Sequence, residues 1–141
     1  MANFLTPDEL KTHLYEEVVN EITRNDDTVI EEAIVTAIDE CKGYLSKYDT
    51  IACIDNIGPD DRNRKLLSVC KEIAAWHLIN LCNVTIKYDS RRLMYEDSIE
   101  WLKGVQKGAI IPPLPNLINP ATTMPITGIS WKSNRKRGNH F

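Results

Sequence analysis

Long hydrophobic runs are absent from this sequence of 141 residues. No apolar stretch approaches the roughly 18 residues that a membrane-spanning helix needs, and the first ten residues lack the basic and apolar segments of a secretory signal. We therefore expect neither secretion by that route nor contact with a membrane. Hydrophobic residues make up 43% and charged residues 26% of the chain, which excludes a disordered composition and predicts one folded domain with its own core.

Motifs for catalysis and metal binding are also absent. The chain has four cysteines without a C-x-x-C pair, and their spacings fit neither a common zinc module nor a redox pair. It contains no G-x-S-x-G, no H-E-x-x-H and no glycine-rich phosphate loop. His77 falls in an apolar helical pattern, which favours a core or interface histidine over a general base. The sequence thus predicts that the protein is not an enzyme and uses no cofactor and no metal.

A capping box predicts the start of a first helix. Thr6 is the expected N-cap, Pro7 occupies the first helical position, and Glu9 reaches back to the cap. The apolar residues that follow repeat at intervals of four, which is a helical spacing with room for one break. They are Leu10, Leu14, Val18 and Ile22.

The strongest helical pattern in the chain is TVIEEAIVTAIDECKGYLSKY, residues 28–48. Its apolar residues share one broad face, which predicts a long amphipathic helix. Thr28 and Glu31 match a capping box at its start. Gly43 inside this helix costs about 1 kcal/mol relative to Ala, which suggests a close backbone approach by a neighbouring element or a partner. The alternative for Gly43 is a tolerated surface glycine.

A central helix is predicted after a connection at residues 49–59 that has room for a short strand. The helical pattern returns from Asp60 and includes RKLLSVCKEIAAWHLINLC, in which apolar residues cover much of the circumference. Three cysteines fall on apolar helical faces and are expected to be small buried residues in a reducing compartment. They are Cys41, Cys70 and Cys82, whereas the role of Cys53 in the connection stays open.

A last helix is expected to start near Asp89 or Ser90 and to end at Lys107. The cation at its carboxyl end and the following Gly108 make a favourable helix stop. Together these patterns predict an all-α fold over residues 1–108, a small bundle of about four to five helices. An extended, proline-rich C-terminal arm is expected to follow it.

Residues 109–141 form this predicted arm. They contain five prolines, which remove backbone donors and fix φ, so a helix is excluded and an extended segment is predicted. They hold four basic residues and no acidic residue, a net charge of +4, whereas residues 1–108 carry a net charge of −7 from 13 basic and 20 acidic residues. Many of their side chains are too apolar for a solvated linker.

The composition of the arm predicts that it binds a protein surface, either on its own domain or on a neighbouring copy. Its apolar residues are the expected contacts, with Trp131 as an anchor. They are Ile110, Ile111, Leu114, Leu117, Ile118, Ile126, Ile129 and Trp131. Its cations are expected to meet an acidic partner or DNA. They are Lys132, Arg135, Lys136 and Arg137.

The order of four blocks resembles a known family. FLTPDELK, IEEAIVTAIDECKGYLSKY, LLSVCKEIAAWHLINL and YEDSIEWLKGVQKGAI follow one another over residues 4–110, and this order is similar to that of the small helical head-tail connectors of tailed bacteriophages, a family of Mu-like virion proteins. The most specific features fall near the end of the long helix and in the last helix. They are Gly43, Tyr44 and Leu45 with Tyr48 after them, and Trp101 and Leu102 followed by Gly104 and Gly108. The chain departs from the pattern in having Lys47 where an arginine commonly stands, in lacking a proline soon after Tyr48, and in its longer arm.

The resemblance implies a structural adaptor rather than a catalyst. Copies of such a protein assemble as a ring, with a dodecamer as one expected size, beneath the portal protein of a DNA-filled head. The ring closes the head and offers a surface for tail-completion or tail proteins, and it can touch packaged DNA without sequence specificity. The protein is then expected at the head-tail interface of the virion after synthesis in the cytoplasm of the bacterial host. Gly43, Tyr44 and Tyr48 are expected to pack subunits or helices together.

Two other functions stay open. The basic C-terminus favours a small helical DNA-binding protein, although no recognition-helix pattern accompanies it. A host-side protein-interaction module is the other alternative. It would form a stable monomer or dimer without affinity for any portal.

Overall fold

The computed structural model describes residues 4–14, Arg24, 26–80 and 88–118. Within these ranges the chain forms five helical segments and no strand beyond an isolated bridge. The helices are α1 (Pro7–His13), α2 (Asp27–Tyr44), a π-helical turn (Ile51–Asp55), α3 (Arg64–Asn80) and α4 (Tyr88–Lys107). The predicted all-α bundle is therefore confirmed.

Helix α1 begins at the predicted capping box. The Glu9 backbone N–H donates to Thr6 Oγ1 (3.3 Å), and the Thr6 N–H donates to Glu9 Oε2 (3.0 Å). The helix ends at His13, so it covers only the beginning of the apolar repeat that starts at Leu10. Leu10 and Leu14 are both buried. Val18 and Ile22 lie outside the described residues.

Arg62 fastens α1 to the loop that precedes α3. Its guanidinium forms a bidentate pair with the Glu9 carboxylate, at 2.6 and 2.9 Å, and also donates to the Phe4 carbonyl (2.8 Å). These hydrogen bonds lower the pKa of Glu9 to about 2, against the opposing effect of burial. One carboxylate thus both caps α1 and pairs with a residue 53 positions later, because its oxygens can accept several hydrogen bonds.

The N-cap of α2 is Asp26, so the prediction of Thr28 as the cap is wrong. The Asp26 carboxylate accepts hydrogen bonds from the Thr28 backbone N–H (3.0 Å) and hydroxyl (2.6 Å). Asp26 is a somewhat better cap residue than Thr and lies two positions earlier, and Thr28 is its hydrogen-bond partner. The helix ends at Tyr44, so Tyr48 lies beyond it, yet the apolar face is buried as predicted.

Helix α3 is central, since it contacts α1, α2 and α4. It begins at Arg64 rather than near Asp60, after Asn63 accepts the Leu66 N–H (3.0 Å). Eight of its residues are buried: Leu66, Val69, Cys70, Ile73, Ala74, Ala75, Leu78 and Ile79. Cys70 Sγ lies 3.0 Å from Cys41 Sγ, and both thiols are buried as predicted. Cys82 is not among the described residues.

Within the connection at residues 49–59, residues 51–55 form a π-helical turn, and the short strand for which the sequence had room is not formed there. The Asn56 N–H donates to the Ile51 carbonyl (2.8 Å), and the Asp49 carboxylate accepts the Ala52 N–H (3.1 Å). The isoleucines of this segment are three residues apart, which is closer to helical periodicity than to the alternation of a strand. Cys53, whose role the sequence left open, is buried there.

Helix α4 ends at Lys107 as predicted. Gly108 has a φ of +81° and its N–H donates to the Val105 carbonyl (3.1 Å). This positive φ is the reason that glycine follows the helix.

Two glycine substitutions distinguish a position that requires glycine for its positive φ from one where alanine fits. Gly108→Ala is expected to lower the free energy of unfolding by about 1 kcal/mol, because a Cβ is strained at positive φ. Gly43→Ala is the matched control, since Gly43 lies inside α2 with no atom within 4 Å of an added Cβ. It is expected to raise the free energy of unfolding by up to about 1 kcal/mol through helix propensity, since Gly43 is one residue from the end of α2. Urea denaturation measures both values, and changes of the same sign would contradict this account.

Candidate interaction surface

The first residues of the predicted arm dock on their own subunit. Tyr48 and Asn116 form an antiparallel bridge. The Asp49 N–H donates to the Pro115 carbonyl (2.8 Å), and the Leu117 N–H donates to the Lys47 carbonyl (3.0 Å). Residues 115–117 therefore lie along residues 47–49, just after the carboxyl end of α2.

A glycine in α4 makes room for the segment that follows the helix. The Ile110 N–H donates to the Gly104 carbonyl (3.1 Å), and a Cβ at Gly104 would lie 2.8 Å from Ile110 Cδ1. Such a distance is too short for two carbon atoms, so the side chain of Ile110 packs where a larger residue would stand. Pro112 is buried and Leu114 is half-buried in the same segment.

The described part of the arm divides its apolar residues between two environments. Ile110 and Leu114 pack against the core. Ile111 is 82% exposed and Ile118 is 57% exposed, while Leu117 is only slightly more than one-third exposed. The body thus covers only part of the apolar surface that this segment carries.

The remaining arm residues with a predicted role lie outside the described residues. The apolar ones are Ile126, Ile129 and Trp131. The cations are Lys132, Arg135, Lys136 and Arg137. Their predicted contacts stay predictions.

The three residues predicted to pack helices or subunits differ in their surroundings. Tyr48 is buried and forms the bridge to Asn116, and Tyr44 is half-buried against the core. Gly43 is exposed, and no heavy atom lies within 4 Å of a Cβ built on it. A close approach to Gly43 by a described element of this chain is therefore wrong, and an approach by a partner stays a prediction.

A polar cluster around Glu40 joins three helices. Glu40 Oε2 lies 3.0 Å from His77 Nε2 on α3, and Glu40 Oε1 accepts the Tyr95 hydroxyl of α4 (2.8 Å). The Tyr95 ring stacks on Trp76, with ring centroids 5.5 Å apart. Burial and then the hydrogen bond to Glu40 raise the pKa of Tyr95 to about 12. Sequence reasoning singled out only His77 among these residues, because the contacts join positions far apart in the chain.

A second polar cluster surrounds Glu72 of α3. Glu72 Oε1 lies 2.8 Å from His13 Nε2, and Glu72 Oε2 lies 3.4 Å from Arg91 Nη1. The contact with His13 lacks the alignment of a hydrogen bond, so it is an ion pair only when the imidazole is protonated. His13 first and Arg91 second hold the pKa of Glu72 below its usual value, against the effect of burial. This cluster fastens α1 and α4 to α3.

A shallow groove lies along one side of α4. Five of the described residues line it, and its volume is about 320 Å³. They are Tyr95, Glu96, Ile99, Glu100 and Lys103, and we call the site the α4 groove. Tyr95 and Ile99 are half-buried and pack against the core, while the three charged residues are exposed. The groove thus has an apolar floor and a charged rim.

None of the helices in the described ranges is long and apolar enough to cross a membrane. No group of three or more His, Cys, Asp and Glu side chains in the described part of the chain is placed to hold a metal ion.

The fold and its surface define a small all-α protein with an apolar segment that its own body covers only in part. The chain belongs to the family described as Bacteriophage Mu, Gp36, whose model matches residues 4–124. This match spans every described residue and confirms the resemblance to Mu-like phage proteins. Comparisons with curated proteins and with solved structures return no match for the chain.

Ile110 and Ile111 test whether the docked segment has one isoleucine packed on the body and the next one exposed. Ile110→Ala is expected to lower the free energy of unfolding by about 1 kcal/mol or more, because its side chain packs on α4. Ile111→Ala is expected to change this energy by less than about 0.5 kcal/mol, because the side chain is exposed. Chemical denaturation of both variants provides the comparison. Equal losses at the two positions would contradict the docking described here.

Proposed function

We propose that the protein is a structural head-tail connector of a phage or prophage. Copies assemble as a ring beneath the portal protein, close the DNA-filled head, and offer the surface to which the tail attaches. Family membership supports a bacteriophage protein. The observation that carries the finer proposal is the partly covered apolar segment, in which Ile111 and Ile118 remain exposed while their neighbours dock on the body.

Ring assembly requires two different surfaces on each copy, and this chain offers its apolar segment and its helical body. An apolar, proline-containing segment and a helical body are different faces of one chain, and contact between unlike faces is heterologous, so it builds rings when the rotation closes. Prolines restrict the unbound segment, which reduces the entropy lost when it is ordered on a partner. The net charges of the arm and the body have opposite signs, which favours their association.

The role proposed here is structural rather than catalytic. The titratable clusters in the described residues join helices to one another: Glu40 connects α2 to α3 and α4, and Glu72 connects α3 to α1 and α4. The proposed partners are other copies, the portal protein and tail or tail-completion proteins, with non-specific contact to packaged DNA. The proposed place is the head-tail interface of the virion, after synthesis in the host cytoplasm.

Deletion of residues 119–141 tests this proposal. The truncated chain retains the pairing of residues 115–117 with 47–49, so its body is expected to fold, as circular dichroism would check. Native mass spectrometry of the full chain with its portal is expected to show a ring complex, and the truncated chain is expected to lose it. Unchanged assembly after truncation would contradict the role given to residues 119–141 and leave Ile111 and Ile118 as the contact, whereas a full chain that never associates with the portal would contradict the proposal.

A control variant separates the connector from a DNA-binding protein. Replacing Arg135, Lys136 and Arg137 with Ala would abolish salt-sensitive DNA association if the basic C-terminus existed to neutralise phosphates. The connector proposal instead expects portal-dependent assembly as the main property of the full chain, with DNA binding weak and independent of sequence. Strong DNA binding without affinity for a portal would favour the alternative.

A further inference from the structure

We propose that the α4 groove receives residues 126–137 of a second copy of this chain. Trp131 or an adjacent isoleucine would occupy the apolar floor, and the cations that follow would meet the carboxylates of the rim. This inference rests on the proposed function and deepens it, because it names the surface that one copy offers to the arm of the next. Nothing in the arm's own sequence indicates where it binds.

The floor of the groove is suited to an aromatic or aliphatic anchor. Tyr95 and Ile99 are half-buried, and the Tyr95 ring stacks on Trp76 from α3. The hydrogen bond from the Tyr95 hydroxyl to Glu40 (2.8 Å) fixes the ring before any partner arrives. Rigid aromatic side chains are enriched at the centres of protein interfaces, because they bury a large area at little entropic cost. The same rings can also bind a cation on their faces.

The rim of the groove has the charge that the arm requires. Glu96 and Glu100 stand against one cation, Lys103, so the rim is negative overall. Among the described residues, Glu96 makes only a long, exposed ion pair with Arg92 (3.7 Å), and Glu100 makes none. Residues 109–141 carry four basic residues and no acidic residue, and all four lie between residues 132 and 137. An apolar anchor followed by cations therefore matches an apolar floor with a carboxylate rim.

Gly43 favours a second copy as the source of the arm. It lies three residues after Glu40 on α2, so it is on the same side of that helix as the carboxylate that holds Tyr95. It is exposed, and no atom lies within 4 Å of an added Cβ, although Gly costs about 1 kcal/mol relative to Ala in a helix. A partner that approaches the backbone here would explain the glycine, and the alternative is a tolerated surface glycine. The 13 residues from 119 to 131 span at most about 45 Å, which is long enough to reach an adjacent subunit.

A charge exchange between two full-length variants tests the inference. The groove variant is Glu96→Lys with Glu100→Lys, and the arm variant is Arg135→Glu with Lys136→Glu. Each variant alone is expected to self-associate about tenfold or more weakly than the natural chain in sedimentation equilibrium, because like charges then face each other. An equimolar mixture is expected to recover association, because each chain now meets an opposite charge on the other.

The matched control reverses two exposed acids of α2, outside the groove. It carries Glu31→Lys with Glu32→Lys, so its net charge equals that of the groove variant. It is expected to associate like the natural chain, and its mixture with the arm variant is not expected to regain the affinity of the natural chain. Circular dichroism of every variant checks that the helices are intact.

Several results would overturn the inference. They are a natural chain that stays monomeric at millimolar concentration, a groove variant that associates normally, and a mixture without recovery. If both reversals in one chain restored stability without raising its mass, the arm would dock on its own subunit and the inference would fail. If the natural chain binds its portal but the groove substitutions do not change self-association, only this inference fails. If self-association depends on the groove but the chain does not bind a portal, only the proposed function fails.

Discussion

The burial of α3 among α1, α2 and α4 is the constraint on which the rest of the structure depends. Fully burying one aliphatic side chain contributes about 1.5–3 kcal/mol, and α3 buries eight residues, most of them apolar. The same helix carries His77 and Glu72, which pair with side chains of the surrounding helices. A single helix thus supplies both the core and the polar contacts that orient its neighbours. The α4 groove inherits its rigid floor from this arrangement, because Trp76 of α3 supports Tyr95.

The segment after α4 differs from the helices in that its backbone is held in place while some of its apolar side chains remain exposed. Its backbone pairs with residues 47–49 and Ile110 packs over Gly104, so its path is fixed at least as far as Leu117. Its side chains are not all used by the body, however, since Ile111 and Ile118 face outward. An apolar surface that is held in place and left uncovered is suited to a contact with another molecule. The body and the arm have opposite net charges, so residues 119–141 are also suited to contact the body of another copy.

Local signals in the sequence were sufficient for some features and insufficient for others. The capping box at Thr6 and the stop at Gly108 depend on residues within one turn, and the apolar face of α2 is a repeat within one helix, so all three could be predicted. Asp26 displaced Thr28 as the cap because two residues that cap helices well lie two positions apart. The docking of residues 115–117, the π-helical turn and the α4 groove could not be predicted, since each depends on tertiary contacts or on a local hydrogen-bonding register that no motif encodes. Gly43 is the clearest example. The sequence shows that glycine lowers helix stability there, but it does not show whether another element lies close to the glycine.

Hydrogen exchange of residues 119–141 tests the central claim most directly. The amide exchange rates of this segment would be measured by mass spectrometry in the free chain and in the assembled complex with the portal. The account predicts strong slowing around Ile126–Trp131 on assembly, because these residues become buried on a neighbouring molecule. Equal exchange rates in the free and assembled states would contradict it.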